Sequence, residues 1–484
     1  MARVLLIYPR MKVLAPRFPY SVLPIAAALL EGGHEVHVLD TQVEELDSVD
    51  PRGFDLVGVS TYSGSQIEGA LQAAARVRSL APGVRLVWGG VHPTMTPEQT
   101  ARHPLVDVVV RGEGEATLAA MIAALESGGD LEEIPGLTYL EGGHLVKTPD
   151  SGYIDLDALP MLPYHLIKPE RYVHFHEKPT RVYFESSRGC PHNCGFCYNE
   201  VMHHRRWRAK SVGRVLDEME YILAELGPDE IWPSDDNFAV DGGRVAEIAR
   251  GKIERGMTFN WVLSSRFDYA LKYDRDFLEL LKESGCATIS FGGESGSPRI
   301  LDMICKGITP EKMMETTGNL RDNGVVCGVN FMAGFPSETR AELFQTFDLI
   351  DDLLEIEPDL AAGISIYTPF PGTPLYDRAL EHGFREPGSL EGWGAYRYGI
   401  VNNLPWLDRR RRNIIRVVGL ISSFDFTARR YRPRGVLHGR RIVSLAYRVL
   451  NASARFRWRK RFFNPAPEWW LLDAFLRYMR FWER

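Results

Sequence analysis

Twice along this chain, apolar runs of strand length alternate with amphipathic stretches of helix length, and that repeated rhythm leaves few folds open. In the first block, strands are expected at Arg3–Tyr8, Glu35–Leu39, Asp55–Ser60, Arg85–Trp88 and Asp107–Arg111, with helices between them, notably over 21–32 and 66–80. Strands and helices in this alternation specify a parallel, doubly wound sheet. In the second block, strands are expected at 181–186, 229–235, 258–264, 287–291, 325–331 and 361–367, separated by helices at 212–226, 241–255, 274–284, 310–323 and 340–354. Thr309 and Pro310 make an N-cap and first-position pair for one of these helices. Six such units predict an open or partial (β/α)6 barrel, with its chemistry at the carboxyl ends of the strands. The fold class is α/β. A first domain spans 1–135, a linker with a short hairpin over 137–147 spans 136–178, the barrel spans 179–390, and a mostly helical region fills 391–484.

Sheets of the first kind bind ligands at the carboxyl ends of their strands. A dinucleotide is excluded, because the turn after the first strand, Pro9 to Pro16, contains no glycine to approach a pyrophosphate. Glycines follow the fourth and fifth strands instead, at Gly89, Gly90, Gly112 and Gly114, where a bulky ligand can come close to the backbone. The longest apolar runs, such as Leu23 to Leu30, fall short of the roughly 20 residues of a membrane span. The opening residues read as a strand, not a signal peptide. Six cysteines are too few for a disulfide scaffold, so a reducing, cytoplasmic setting is expected.

Three of those cysteines, Cys190, Cys194 and Cys197, lie within eight residues just past the first barrel strand. Three thiolates so spaced can wrap one soft metal centre. A zinc site would need a fourth ligand, such as His192, His203 or His204. A [4Fe–4S] cluster normally takes four cysteines, so three leave one iron open to an exogenous ligand. Cys286, Cys305 and Cys327 are scattered; the first and last flank apolar strands and read as buried small hydrophobes.

The C-x3-C-x2-C spacing, with Phe196 before the last cysteine, resembles the signature of the radical S-adenosylmethionine (SAM) enzymes. The resemblance covers about residues 180–375. It implies that the three cysteines hold a [4Fe–4S] cluster, that SAM chelates the open iron, and that reductive cleavage yields a 5′-deoxyadenosyl radical. Phe196 would lie near the adenine. Phe291-Gly292-Gly293-Glu294 resembles the family's glycine-rich element near the methionine amino group, and Gly334-Phe335-Pro336 its element near the adenine. Asp235, Asp236, Ser264, Ser265 and Arg266, at strand ends, are expected to supply polar contacts, Asn237 less so.

A parallel α/β domain ahead of such a barrel resembles the cobalamin-binding subclass. The matching residues are Ser60-Thr61, Gly89-Gly90-Val91-His92-Pro93 and Arg111-Gly112-Glu113-Gly114-Glu115, whose loops would embrace the corrin and its nucleotide tail. The D-x-H-x-x-G motif that supplies a histidine to cobalt is absent. The resemblance therefore implies base-off cobalamin with no histidine ligand, His92 included, and residues 9–20 as the floor under cobalt. A degenerate domain that has lost its cofactor is the plainer alternative.

The implied activity is methyl transfer from methylcobalamin to an unactivated carbon of a lipid or other natural product after hydrogen-atom abstraction. The alternatives are a non-methylating cobalamin enzyme performing oxidative cyclisation or ring rearrangement, and a non-catalytic cobalamin sensor. The partners implied are a small-molecule or lipid substrate and a one-electron donor such as flavodoxin or ferredoxin.

The net charge of −6 hides an asymmetry: residues 401–484 carry a balance of +15 and the first 400 residues −21. Arg409–Arg412, Arg440-Arg441 and the run Arg455 to Arg461 interleave with Phe462, Phe463, Trp469, Trp470, Phe475, Tyr478, Phe481 and Trp482. Such a tail suits packing against an acidic barrel as cover or lid, or an anionic membrane surface at the inner face. It could also meet a nucleic-acid backbone, although no RNA-binding signature accompanies it.

Overall fold

The computed structural model describes residues 1–12, 16, 18–172, 180–396, 404–422 and 441–482. Residues 13–15 and 17 of the expected cobalt floor, Arg440, and the side chains of Arg441, Phe475, Tyr478, Phe481 and Trp482 lie outside that description. The chain forms two compact units, one of Met1–His176, Tyr198–Gly227 and Glu386–Tyr398, the other of Glu177–Cys197, Pro228–Arg385 and Gly399–Arg484.

The first unit is built on β1 (Arg3–Tyr8), β2 (Glu35–Asp40), β3 (Leu56–Ser60), β4 (Arg85–Gly89), β5 (Val108–Val110), β6 (Leu137–Glu141) and β7 (His144–Lys147). They form one sheet in the order β2-β1-β3-β4-β5-β6-β7. The strands β1 to β5 run parallel, with Val4 opposite both Val36 and Leu56. Five of the six residues of β1 are buried, as a strand covered on both faces requires. The hairpin expected over 137–147 joins this sheet, β6 running antiparallel to β5. A short helix, Leu390–Ala395, packs on the helix Ser65–Leu80, where Gly394 leaves room for the backbone of Glu68.

The second unit is a half-barrel of six parallel strands in chain order: β8 (Arg181–Phe184), β9 (Glu230–Pro233), β10 (Asn260–Ser265), β11 (Cys286–Glu294), β12 (Cys327–Ala333) and β13 (Ala361–Ile366). Thr309 caps the helix Pro310–Asp322 as expected, and Thr339 with Glu342 forms a capping box on the helix Arg340–Ile356. Among the described residues the C-terminal region is helical, with Arg409–Ile421, Arg441–Arg459 and Pro467–Trp482. The helix Arg409–Ile421 buries Ile414, Ile415, Val417, Val418 and Ile421 and packs on β13. Two tail residues reach acids on the helix Arg340–Ile356: Trp458 Nε1 donates to Asp351 at 2.6 Å, and Arg461 to Asp348 and Asp351 at 2.7 Å. Among the described residues, no helix is long and apolar enough to cross a membrane.

Candidate active site

In the second unit, the loop that follows β8 carries all three clustered thiols. None of Cys190, Cys194 and Cys197 is in a disulfide, and each is half-buried. The loop is fixed by backbone bonds: Gly195 N–H donates to Ile304 O at 2.9 Å, Leu375 N–H to Gly195 O at 2.8 Å, and Cys197 N–H to Cys194 O at 3.0 Å. Two side chains aim donors at sulfur. Asn237 Nδ2 lies 3.5 Å from Cys190 Sγ, and Arg266 Nη1 lies 3.5 Å from Cys194 Sγ. Among the described residues no three His, Cys, Asp or Glu side chains converge as ligands of a single metal ion. A cubane instead takes each thiolate on a different iron, and hydrogen bonds to its sulfurs tune its potential. Soft thiolates on a rigid loop with N–H donors beside them fit a [4Fe–4S] cluster.

The expected polar residues divide into two groups. Asp235 turns inward: its carboxylate accepts from Ser186 N–H at 2.8 Å and from the hydroxyls of Ser186 and Ser187. Burial pushes it up to about 6 against those hydrogen bonds. It secures the strand that leads into the cysteine loop, and its neighbour Asp236 accepts from Gly189 N–H at 3.0 Å. Asn237, ranked lower from sequence, is the residue of this turn that faces a cysteine. Arg266 holds its direction through Asp268 at 2.9 Å and the Lys306 carbonyl at 2.6 Å. Ser264 Oγ is buried with no hydrogen-bond partner among the described residues, which leaves a polar atom for a ligand to satisfy.

Glu294 ends β11 with φ +61°, a left-handed conformation rare outside glycine. Its carboxylate accepts from Lys306 Nζ at 2.8 Å, both groups being buried. A Cβ on Gly292 would lie 2.3 Å from Glu294 Oε1 and 2.7 Å from Lys306 Nζ, so only glycine leaves this pair its place. Gly293 closes the same turn. Beyond β12, Gly334 and Phe335 form the next turn; Phe335 is fully buried, 6.4 Å from the Phe196 ring and 5.5 Å from that of Tyr367.

Lys306, Tyr269 and Glu338 escaped the sequence reading. Tyr269 hydroxyl bonds His192 Nε2, beside Cys190. Glu338 accepts from Gly334 N–H at 2.7 Å. A motif in the cysteine loop gives no hint of partners so far along the chain. Cys286 and Cys327 are buried, their thiols pushed up to about 12 by burial, while Cys305 is exposed.

In the first unit, the loops at the carboxyl ends of β3, β4 and β5 are tied to one another. Thr61 N–H donates to Gly89 O at 2.9 Å and His92 N–H to Thr61 O at 3.1 Å. Thr94 Oγ1 donates to Gly90 O at 2.8 Å and accepts from Gly112 N–H at 3.0 Å. Gly90 has φ +97°, and a Cβ there would lie 2.8 Å from Thr61 O. Ser60 Oγ meets Ser21 Oγ at 3.0 Å. Thr61 Oγ1 is buried with no hydrogen-bond partner among the described residues. That orphan hydroxyl beside a glycine-lined cradle fits a large polar-edged ligand. His92 is fully buried beside Val91, its Nδ1 on Ser63 Oγ at 2.8 Å and its Nε2 on Thr96 Oγ1 at 3.1 Å. Burial pushes it down to about 3, so the ring is neutral with both nitrogens engaged. The carboxylate of Glu113, next to Gly114, is taken up by Arg208 and by Ile154 N–H, and Arg111 by Asp150.

Comparison with known proteins bears on both units. The Radical SAM superfamily model matches residues 184–350 and the B12 binding domain model matches residues 15–122. An uncharacterized methyltransferase of Pyrococcus horikoshii is 34% identical over 76% of this chain and 80% of its own length. The anaerobic magnesium-protoporphyrin IX monomethyl ester cyclase of Rubrivivax gelatinosus is 27% identical over 74% of this chain and 65% of its own. The fold is shared with the radical SAM methyltransferase TsrM of Kitasatospora setae, solved with cobalamin and a [4Fe–4S] cluster. The TM-score is 0.69 at 17% identity, over 95% of this chain and 99% of that one. The chain thus belongs to the cobalamin-binding radical SAM family, and is an enzyme that works with a [4Fe–4S] cluster, S-adenosylmethionine and cobalamin.

Proposed function

We propose that this enzyme is a C-methyltransferase that places a methyl group on an unactivated carbon of a lipid or other natural product. One observation carries the reading: a relative that shares 34% of its residues over most of both chains bears a methyltransferase name. The cofactors supply a carbon radical and a transferable methyl when bound. The protein's part is to hold and orient them. Cys190, Cys194 and Cys197 would hold the cluster, with Asn237 and Arg266 balancing sulfur charge. Phe196, Gly334 and Phe335 would meet the adenine of SAM, and Gly292, Gly293 and Glu294 its methionine end. Ser264 offers its free hydroxyl there. Asp235 acts behind the cysteine loop. Ser60, Thr61, Gly89 to His92 and Gly112 to Gly114 would line the corrin, and the engaged nitrogens of His92 favour cobalamin without a histidine ligand. The cyclase relative supports a second reading, a non-methylating ring closure.

The test is an anaerobic incubation of reduced, reconstituted enzyme with deuteromethyl-labelled SAM and an extract of lipids and small molecules. Label in a new product, with two SAM molecules consumed per product, is expected. A new product with 5′-deoxyadenosine but no label would select the cyclisation reading and sink the first.

The electron donor is a flavodoxin or ferredoxin in this proposal. The C-terminal region also meets an anionic membrane surface. Val449, Phe456, Phe462 and Leu471 are exposed among Arg455, Arg459 and Lys460, the mix that an interfacial helix presents to acidic lipid. Flotation with phosphatidylglycerol vesicles should be lost in the Phe456→Ser, Leu471→Ser double variant; equal flotation would refute it.

A further inference from the structure

The turn Gly334-Phe335-Pro336 is held from two sides, and one of them lies outside the barrel strands. Glu338, four residues on, takes the Gly334 N–H at 2.7 Å. The Gly334 carbonyl is taken by Trp406, whose Nε1 donates to it at 3.0 Å. Leu404 lies so close that a Cβ on Gly334 would come within 2.8 Å of its Cδ1. Arg411, in the first turn of the helix Arg409–Ile421, locks this arrangement. Its guanidinium donates to the carbonyl of Glu338 at 2.7 Å, to that of Trp406 at 2.9 Å and to Asp408 at 2.9 Å. Leu404 and Leu407, of the same segment, are buried. An aromatic series continues inward: Trp406 to Tyr367 at 6.2 Å, Tyr367 to Phe335 at 5.5 Å, and Phe335 to Phe196 at 6.4 Å between ring centroids.

We infer that the segment Leu404–Arg411 is a clamp that sets the affinity for S-adenosylmethionine, with Trp406 and Arg411 as its positioning residues. Gly334 has φ +90°, so its peptide can face other ways once nothing fixes it. Trp406 and Glu338 together fix both polar groups of that residue. The position of Phe335 against Phe196, the two rings assigned to the adenine, then depends on a side chain 72 residues further along the chain. The clamp rests on the reading that Gly334 and Phe335 touch SAM.

The test measures SAM binding by equilibrium dialysis to the full chain, reconstituted anaerobically with the cluster oxidised so that no turnover occurs. Trp406→Phe keeps an aromatic ring, though a smaller one, and deletes the donor. It should weaken SAM binding about fivefold, the worth of one net hydrogen bond. Iron content and cluster absorbance should stay as in the wild type, and the unfolding midpoint should fall only by the modest amount that one lost hydrogen bond costs. Trp458→Phe is the matched control, since it deletes an indole donor to Asp351, well past the first turn of the helix Arg340–Ile356, and should leave SAM affinity unchanged. Unchanged affinity in Trp406→Phe, or equal loss in both variants, overturns the clamp. Phe335→Leu separates the two layers. If Phe335→Leu weakens binding and Trp406→Phe does not, the clamp alone fails. If neither weakens it, the assignment of the turn to SAM fails as well.

Discussion

Replacing Glu338 by glutamine should abolish a pH dependence of stability that the wild-type second unit has. The Glu338 side chain is 2% exposed, and burial pushes its carboxyl up to about 8 from the ordinary carboxylate range, helped by the charge of Glu342. The Gly334 N–H and Arg411 pull the other way and do not prevail. Because the folded value is raised, the group's contribution is fully present at pH below the unfolded value near 4.5. It is then lost as pH rises through the folded value: the unfolded chain gives up its proton first, which favours unfolding until the buried acid ionises too. At about 1.36 kcal/mol per pH unit, the wild type should lose about 3 kcal/mol from this source by pH 7, and between about 4 and 5 kcal/mol above pH 8.5. Glutamine still accepts the Gly334 N–H and has no proton to lose. The variant should therefore be about as stable as the wild type near pH 5 and gain on it steadily to pH 8.5. Hydrogen exchange of peptides spanning 327–349 under denaturant reads the second unit alone, and the ratio of variant to wild type removes the intrinsic pH dependence of exchange. A ratio that stays flat from pH 5 to 8.5, or that grows toward acid, would refute the reasoning.

Asn237→Ala should leave the cluster assembled but lower its midpoint potential by on the order of 40 mV, the value of one lost hydrogen bond to sulfur in a one-electron couple. A redox titration followed by electron paramagnetic resonance measures this; no shift, or a rise, contradicts it. Gly90→Ala should cost more than about 2 kcal/mol, because a Cβ at φ +97° meets the Thr61 backbone at 2.8 Å. The cobalamin retained on purification should fall several-fold, whereas Gly83→Ala, in open space, should keep it. Lys306→Met should destabilise the second unit by about 3 to 5 kcal/mol by stranding the buried Glu294 carboxylate, and adding Glu294→Gln should restore most of it. Unfolding midpoints of Lys306→Met, Glu294→Gln and the double variant decide whether the pair is coupled.

The alternation of strands and helices was legible because its period is set by burial on both faces, as in β1. The cysteine loop was legible because its three thiols lie within eight residues of one another. Side-chain direction was not. Asp235 and Asn237 sit two residues apart, and a carboxylate looks the more chemical of the two. The strand end aims Asp235 at Ser186 and Ser187 and leaves Asn237 facing Cys190. Glu294 was legible as the end of a strand, but its pairing with Lys306 depends on a left-handed turn that spacing does not reveal. The hairpin 137–147 was read correctly as a hairpin; its addition to the sheet edge depends on partners that period-2 patterning does not name. The basic tail looked like one object. In the structure Trp406 and Arg411 reach the turn at Gly334, while Trp458 and Arg461 meet acids on the helix Arg340–Ile356.

The central claim is that the cysteine loop holds a cluster that cleaves S-adenosylmethionine. The direct measurement is 5′-deoxyadenosine released when the anaerobically reconstituted full chain is given SAM and a one-electron reductant. The wild type should release it, and the variant with Cys190, Cys194 and Cys197 all replaced by Ala should lose both its iron–sulfur absorbance and the product. Absence of 5′-deoxyadenosine from iron-loaded wild type, or its equal release by the triple variant, would contradict the account.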